Sequence, residues 1–209
     1  MLHKSTIDAS TLELLRQLQQ KDYLKGFYLV GGTALALKMG HRKSVDLDLF
    51  SNFSFDTNQL LENLSADFPF KLLFSANNTL KGSINEVQVD ILAHRYPLVA
   101  EPVIIENISM LSNEDIAAMK LNAISVSGQR VKDFIDIYYL LRTYTVEEMT
   151  EFYKKKYSQY NDANVLKSLC WFDDIDLSDW PVLLESPQLN WKTVKNSIEK
   201  ATLTYLKKI

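Results

Sequence analysis

The sequence predicts an α+β fold, with strands and helices mixed in residues 1–111 and helices alone in residues 112–209. Three observations predict it. Short strand-favouring runs (FYLV, VDLDLF, FKLLF, VQVDILA, VIIENISML) all fall in the first part. Helix start and stop signals occur throughout, and after Leu111 no other pattern remains. An apolar share of 46% in 209 residues suffices for one substantial core, or one core with a helical appendage.

In chain order, Leu12, Leu15 and Leu18 among polar residues give an amphipathic helix over about residues 10–21. FYLV is a strand that ends abruptly at Gly31-Gly32, and TALALKM is a short helix stopped by Gly40. VDLDLF, residues 45–50, alternates apolar and acidic positions with the period of a strand. Asp56 reads as the N-cap of a helix reaching about residue 66. FKLLF and VQVDILA read as strands joined through NNTLKGSINE, whose Asn and Gly residues suit turns. A strand near VIIENISML completes the β-rich part. Ser112 with Asp115, and Thr145 with Glu148, mark two capping-box helix starts. DFIDIYYLLRTY, residues 161–171 and the stretch from Trp191 give the other helices.

A formal net charge of -3, from 23 basic and 26 acidic residues, lacks the basic excess with which proteins grip long duplex DNA. The single cysteine, Cys170, excludes an intramolecular disulfide, and beside Leu169 and Trp171 it reads as a buried, inert thiol. The first residues lack a signal-peptide pattern, and no apolar run approaches the ~18 residues needed to span a bilayer. A cytoplasmic protein with no membrane partner is expected.

The sharpest local feature is LVGGTALALKMGHRKSVDLDLF. Side chains two apart on a strand share a face, so Asp46 and Asp48 project together while Val45, Leu47 and Leu49 face the other way. Two carboxylates on one face repel unless a cation sits between them. Their oxygens suit Mg²⁺ (or Mn²⁺), which takes one or two carboxylates and completes its shell with triphosphate oxygens and water. Gly31-Gly32 ends a strand and opens a helix, so backbone amides are aimed at an anion, with the Thr33 hydroxyl beside them. A GG turn alone is usually just a turn, and D-x-D alone is usually solvated. Their order and spacing together point to a phosphate binder next to a metal binder.

At these residues the sequence resembles the DNA polymerase β-like nucleotidyltransferases, and GGTALALKMGHRKSVDLDLF is similar to one branch, the AbiEii/AbiGii-type nucleotidyltransferase toxins of bacterial abortive-infection systems. Thr33 stands where the wider superfamily often has Ser; it keeps the hydroxyl. The resemblance implies a nucleotidyltransferase-type mixed sheet with flanking helices, followed by a helical region (residues 112–209) that clamps nucleotide or acceptor. It also implies transfer of a nucleoside monophosphate from an NTP to an acceptor hydroxyl. The third carboxylate it calls for falls on Asp90 in VQVDIL, so Asp46, Asp48 and Asp90 are the expected catalytic and metal-binding set. An acid between two apolar residues of a strand is costly unless partnered, which fits that role.

The likeness extends to Lys120 and to R-x-K-D-x-x-D at Arg130, Lys132, Asp133 and Asp136. It gives Lys120 a contact with the triphosphate and Asp136 a part in positioning the nucleotide or Lys120. Read from spacing alone, Lys120 snorkels to solvent, Lys132 pairs with Asp136 at i,i+4, and the acids complement a helix dipole. Gly31, Gly32, Thr33, Arg42, Arg130 and Lys132 complete the expected nucleotide-binding set, with Arg42 on a phosphate or bracing Asp46, and His41 structural.

Asp173, Asp174, Asp176 and Asp179 lack the spaced glycine and final glutamate of a calcium loop and read as a solvated linker. Tyr138, Tyr139, Tyr153, Tyr157 and Tyr160 read mostly as packing. The toxin likeness implies an RNA, tRNA or protein acceptor and a cognate antitoxin. The competing readings are an antibiotic nucleotidyltransferase on the same core, and a non-catalytic nucleotide-binding subunit.

Overall fold

The computed structural model describes residues 1–159 and 161–208; Tyr160 lies outside them. The chain divides into two compact units, one of Met1–Pro97 with Glu101–Leu111, the other of Leu98–Ala100 with the chain from Ser112 onward.

The first unit holds the whole sheet. Its strands are β1 (Tyr28–Leu29), β2 (Leu47–Ser51), β3 (Phe70–Ala76), β4 (Thr79–Ile84), β5 (Val87–Ala93), β6 (Val103–Ile105) and β7 (Ile108–Met110). Their order is β3-β4-β5-β2-β1-β7-β6. β2 runs parallel to β5, and β1 to β7, while the other neighbours are antiparallel. The expected mixed sheet is present. Its helices are α1 (Ala9–Gln19), α2 (Gly31–Met39) and α3 (Thr57–Asp67). α1 buries Leu12, Leu15 and Leu18, the stripe that its spacing predicts. α3 starts where expected, with the Asp56 carboxylate accepting from the amides of Asn58 and Gln59.

Three local expectations are corrected. β2 begins at Leu47, not Val45: its ladder with β1 starts only at Leu49 and its ladder with β5 at Leu47, although β5 reaches back to Val87, and Val45 is exposed rather than facing the core. NNTLKGSINE is not one turn. It contains β4, with turns at Asn78 and at Asn85-Glu86, all in the left-handed region. Gly82 serves close approach instead, because a β-carbon there would lie 2.6 Å from the Lys71 carbonyl and against the Phe70 ring. VIIENISML is a hairpin of β6 and β7, turned by Glu106 and Asn107, both with positive φ.

The second unit contains α4 (Asn113–Val126), α5 (Val131–Leu140), α6 (Val146–Lys156), α7 (Asp162–Ser168) and α8 (Trp191–Leu206). The Thr145–Glu148 capping box is complete. At α4 the Ser112 hydroxyl accepts from the Asp115 amide and donates at 2.8 Å to the Asp115 carboxylate, which has further partners. It is fully buried, accepts from the Val99 and Ala100 amides, and pairs with the buried Lys156 ammonium at 2.7 Å. Tyr139, Tyr153 and Tyr157 are buried packing residues, and Tyr138 is half-buried.

The acidic segment after α7 is more than a solvated linker. Asp179 pairs with Lys132 at 2.6 Å, Asp174 accepts from the Trp171 indole, and Asp176 bridges to Arg130 through the backbone. Cys170 is half-buried, and burial pushes its thiol pKa up. Among the described residues no helix is long and apolar enough to cross a membrane.

Candidate active site

The site in the first unit follows from strand register. Leu47 and Leu49 of β2 sit opposite Val89 and Ile91 of β5, and all four are fully buried. Asp48 and Asp90 are register partners between those pairs, so both project from the opposite face. Adjacent strands lie ~4.8 Å apart, which brings the two carboxylates side by side. Asp46 lies two residues before Asp48, upstream of the ladder and exposed.

The glycine turn closes the other flank of Asp48. The Val30 amide donates to the Asp48 carbonyl at 2.9 Å, and the chain then enters α2 through Gly31 at φ +68°. A β-carbon on Gly31 would fall 2.5 Å from Asp48 Oδ2, so only glycine lets the helix start come this close to the carboxylate. The first amides of an α-helix have no intrahelical partner, and here they open beside an acidic group. A β-carbon on Gly32 would collide with the guanidinium of Arg42, which is buried and donates to the Lys43 carbonyl at 3.0 Å. Arg42 thus braces the turn. The Thr33 hydroxyl is buried and engaged within the protein, with the Asp46 carbonyl at 2.5 Å and the Ser44 hydroxyl at 2.8 Å. It fixes the backbone that presents Asp46. His41 is fully buried, as a structural histidine should be.

Among the described residues, no group of three or more His, Cys, Asp or Glu side chains is arranged to hold a metal ion. The donor set still fits one. Asp48 and Asp90 supply hard oxygens from neighbouring strands, and Mg²⁺ needs only one or two carboxylates when phosphate oxygens and water fill its shell.

Lys81 is the residue that sequence reasoning missed. It is the register partner of Asp90 on β4, and its ammonium lies 2.6 Å from Asp90 Oδ2. The signal was available in principle. Leu80, Gly82 and Ile84 are buried and alternate with half-buried Lys81 and Ser83, but this period is legible only once the segment is read as a strand.

In the second unit, Lys120 is buried and pairs with Asp133 at 2.6 Å and Asp136 at 2.7 Å, both themselves buried. The spacing-based pairing of Lys132 with Asp136 is corrected, since Lys132 reaches Asp179. A carboxylate removed from water gains most from an ammonium that is also removed from water, and Lys120 offers one. Snorkelling of Lys120 is corrected for the same reason. Arg130 is exposed at the start of α5.

The chain and its fold are similar to those of known proteins. The chain is 28% identical over 200 residues to an uncharacterized protein of Aquifex aeolicus, covering 93% of this chain and 95% of that one. Its fold is similar to that of MenT4, a nucleotidyltransferase toxin of Mycobacterium tuberculosis (TM-score 0.60, 15% identity, 97% of this chain and 86% of that one). It is similar also to that of JHP933 from Helicobacter pylori (TM-score 0.55, 17% identity, 97% and 94%). The family described as nucleotidyl transferase AbiEii toxin, type IV TA system, matches residues 13–101 and 71–206. With that family matching the chain nearly end to end, the protein belongs to the AbiEii toxin family and is a nucleotidyltransferase.

Proposed function

We propose that the protein is a metal-dependent toxin that transfers a nucleoside monophosphate from an NTP to a hydroxyl of RNA, tRNA or protein in the cytoplasm, restrained by a cognate antitoxin. The observation that carries the site assignment is the register pairing of Asp48 with Asp90 beside the Gly31 turn. The family's description as a type IV toxin and the likeness to the MenT4 toxin fold support the biological half.

In this reading the acceptor oxygen bonds to the α-phosphorus as the bond from phosphorus to the bridging oxygen breaks, and pyrophosphate departs in line. Asp48 and Asp90 would hold a divalent cation, which supplies charge neutralisation for the triphosphate and leaving group, and the exposed Asp46 two residues before Asp48 would join them when it binds. Asp90 also takes the acceptor hydroxyl's proton. The amides of Gly31, Gly32 and Thr33 cradle the triphosphate, and Arg42 keeps that turn in shape. Within the second unit Asp136 orients Lys120, and Lys120, Arg130 and Lys132 are the cations that the family likeness assigns to the nucleotide. Catalysis is then positioning and electrostatics, as in other phosphoryl transfers.

The test is to incubate the protein with NTPs labelled at the α-phosphorus, Mg²⁺ or Mn²⁺, and total RNA, total protein or an aminoglycoside. Label in RNA or protein that disappears with chelator and with Asp48→Ala supports the reading. Label in the drug alone moves the acceptor to small molecules, and label transfer undiminished in Asp48→Ala overturns the site.

A further inference from the structure

Lys81, Asp90 and Asp48 form a row across three neighbouring strands, because Lys81 partners Asp90 on β4 and Asp90 partners Asp48 on β2. Cross-strand partners share a face, so the three charged groups lie in line on the side of the sheet opposite Leu80, Val89 and Leu47. The Gly31 turn abuts Asp48 at one end of this row and Lys81 stands at the other. The Lys81 ammonium contacts Oδ2 of Asp90 at 2.6 Å, so one of the two carboxylate oxygens is already engaged. With its side chain 45% exposed against 23% for Asp90, Lys81 is reachable by solvent while its partner is more enclosed.

We infer that Lys81 is a positioning residue for the transfer reaction, an internal cation that fixes the Asp90 carboxylate and competes for it with the divalent metal. This rests on the proposed assignment of Asp90 to the metal and acceptor site. An exposed ion pair contributes little to folding, so its selection for stability is a weak explanation. Its effect on a neighbouring cation is larger. A positive charge on one oxygen of a carboxylate disfavours a second cation on the other, and it restricts the carboxylate's rotation, so that the other oxygen keeps one direction for an acceptor hydroxyl. Removing Lys81 should therefore have opposite effects on two quantities: metal binds more tightly, and transfer slows.

The experiment measures Mn²⁺ binding to the full chain by electron paramagnetic resonance, and label transfer into total RNA or protein, for the unaltered chain, Lys81→Met and Lys81→Arg. Lys81→Met should bind Mn²⁺ roughly three- to tenfold more tightly, while transferring label at least about tenfold more slowly, within the range found for residues that orient metal ligands. Lys81→Arg should restore both values to within about threefold, because the charge and the donor are kept. Misfolding would weaken both quantities together, so opposed signs separate positioning from damage. In an Asp90→Asn background the Mn²⁺ gain from Lys81→Met should shrink below about twofold, as expected for a residue acting through its partner. Mn²⁺ affinity that is unchanged or weaker in Lys81→Met, or a gain that persists in Asp90→Asn, overturns the inference. Asp48→Ala serves as the control for the underlying assignment. If it transfers label normally the site itself is wrong, whereas if it is inactive and Lys81→Met behaves like the unaltered chain, only the role of Lys81 fails.

Discussion

Gly31 and Asp48 are packed so closely that a methyl group on the glycine would fall 2.5 Å from Asp48 Oδ2. The same glycine has φ +68°, where a side chain costs about 1–2 kcal/mol before any collision is counted. Gly31→Ala should therefore destabilise the protein by about 1–3 kcal/mol and displace the Asp48 carboxylate. The expected result is a lowered denaturant midpoint together with a loss of transfer larger than the unfolded fraction explains. An alanine variant with full activity and unchanged midpoint would show that the turn tolerates a side chain.

Asp48 is half-buried and projects from the face of the sheet opposite Leu47 and Leu49. Asp48→Ala should leave thermal unfolding within a few degrees of the unaltered chain and reduce transfer by about 10³-fold, the order expected when several kcal/mol of metal-borne charge stabilisation is lost. Asp46→Ala should behave the same way. Comparing circular dichroism melts with initial rates of label transfer checks both halves of this expectation.

These two residues also show what a sequence can disclose. The glycine pair and the D-x-D alternation are patterns of adjacent residues, so their local conformation can be read directly, and the α+β class follows from where such patterns stop. Asp90 was singled out because the family likeness calls for a third carboxylate, and the period-two signal of VQVDIL only placed it on a strand. Lys81 was not, because Gly82 was read as a turn residue when its smallness serves the ring of Phe70 instead. The family likeness linked Asp136 to Lys120, but the pairing with Asp133 was hidden for a different reason. Asp133 lies 13 residues away, and which carboxylate a lysine meets is decided by helix packing rather than by spacing on one helix. The start of β2 was misjudged likewise: β5 reaches back to Val87, yet the ladder begins only at Leu47, and an alternating pattern does not tell where pairing starts.

Lys120 shows how stability and function can be confused. It neutralises two buried carboxylates, Asp133 and Asp136, so Lys120→Ala leaves both without their ammonium. The variant should lose about 3–5 kcal/mol of unfolding free energy. Loss of transfer by Lys120→Ala is then no proof of a triphosphate contact. Lys120→Ala/Asp133→Asn/Asp136→Asn, with the charges removed together, should regain most of the stability while remaining inactive if Lys120 meets the nucleotide. Equilibrium urea unfolding of the two variants, with transfer assayed on each, separates the effects.

The buried Asp115–Lys156 pair ties the stability of the second unit to acid pH. Burial pushes its carboxyl pKa up, but hydrogen bonds from Lys156 and the Val99 amide, the charge of Lys156 and the Ser112 hydroxyl outweigh it, and the net shift is below the ordinary 3.8. A carboxyl with a depressed folded pKa contributes stability that is fully present above its unfolded pKa and is lost as pH falls through the folded one. This contribution should therefore hold from neutral pH down to about 5 and decline below about 4, as the charge opposite Lys156 disappears. Asp115→Asn should already be less stable by about 3–5 kcal/mol at pH 7, because Lys156 keeps its charge in a buried site without a carboxylate. Its denaturant midpoint should fall less steeply than that of the unaltered chain below about pH 4, since it has no carboxylate at this position to protonate. Two acid limbs that remain parallel down to about pH 2 would mean that other groups govern the loss of stability in acid.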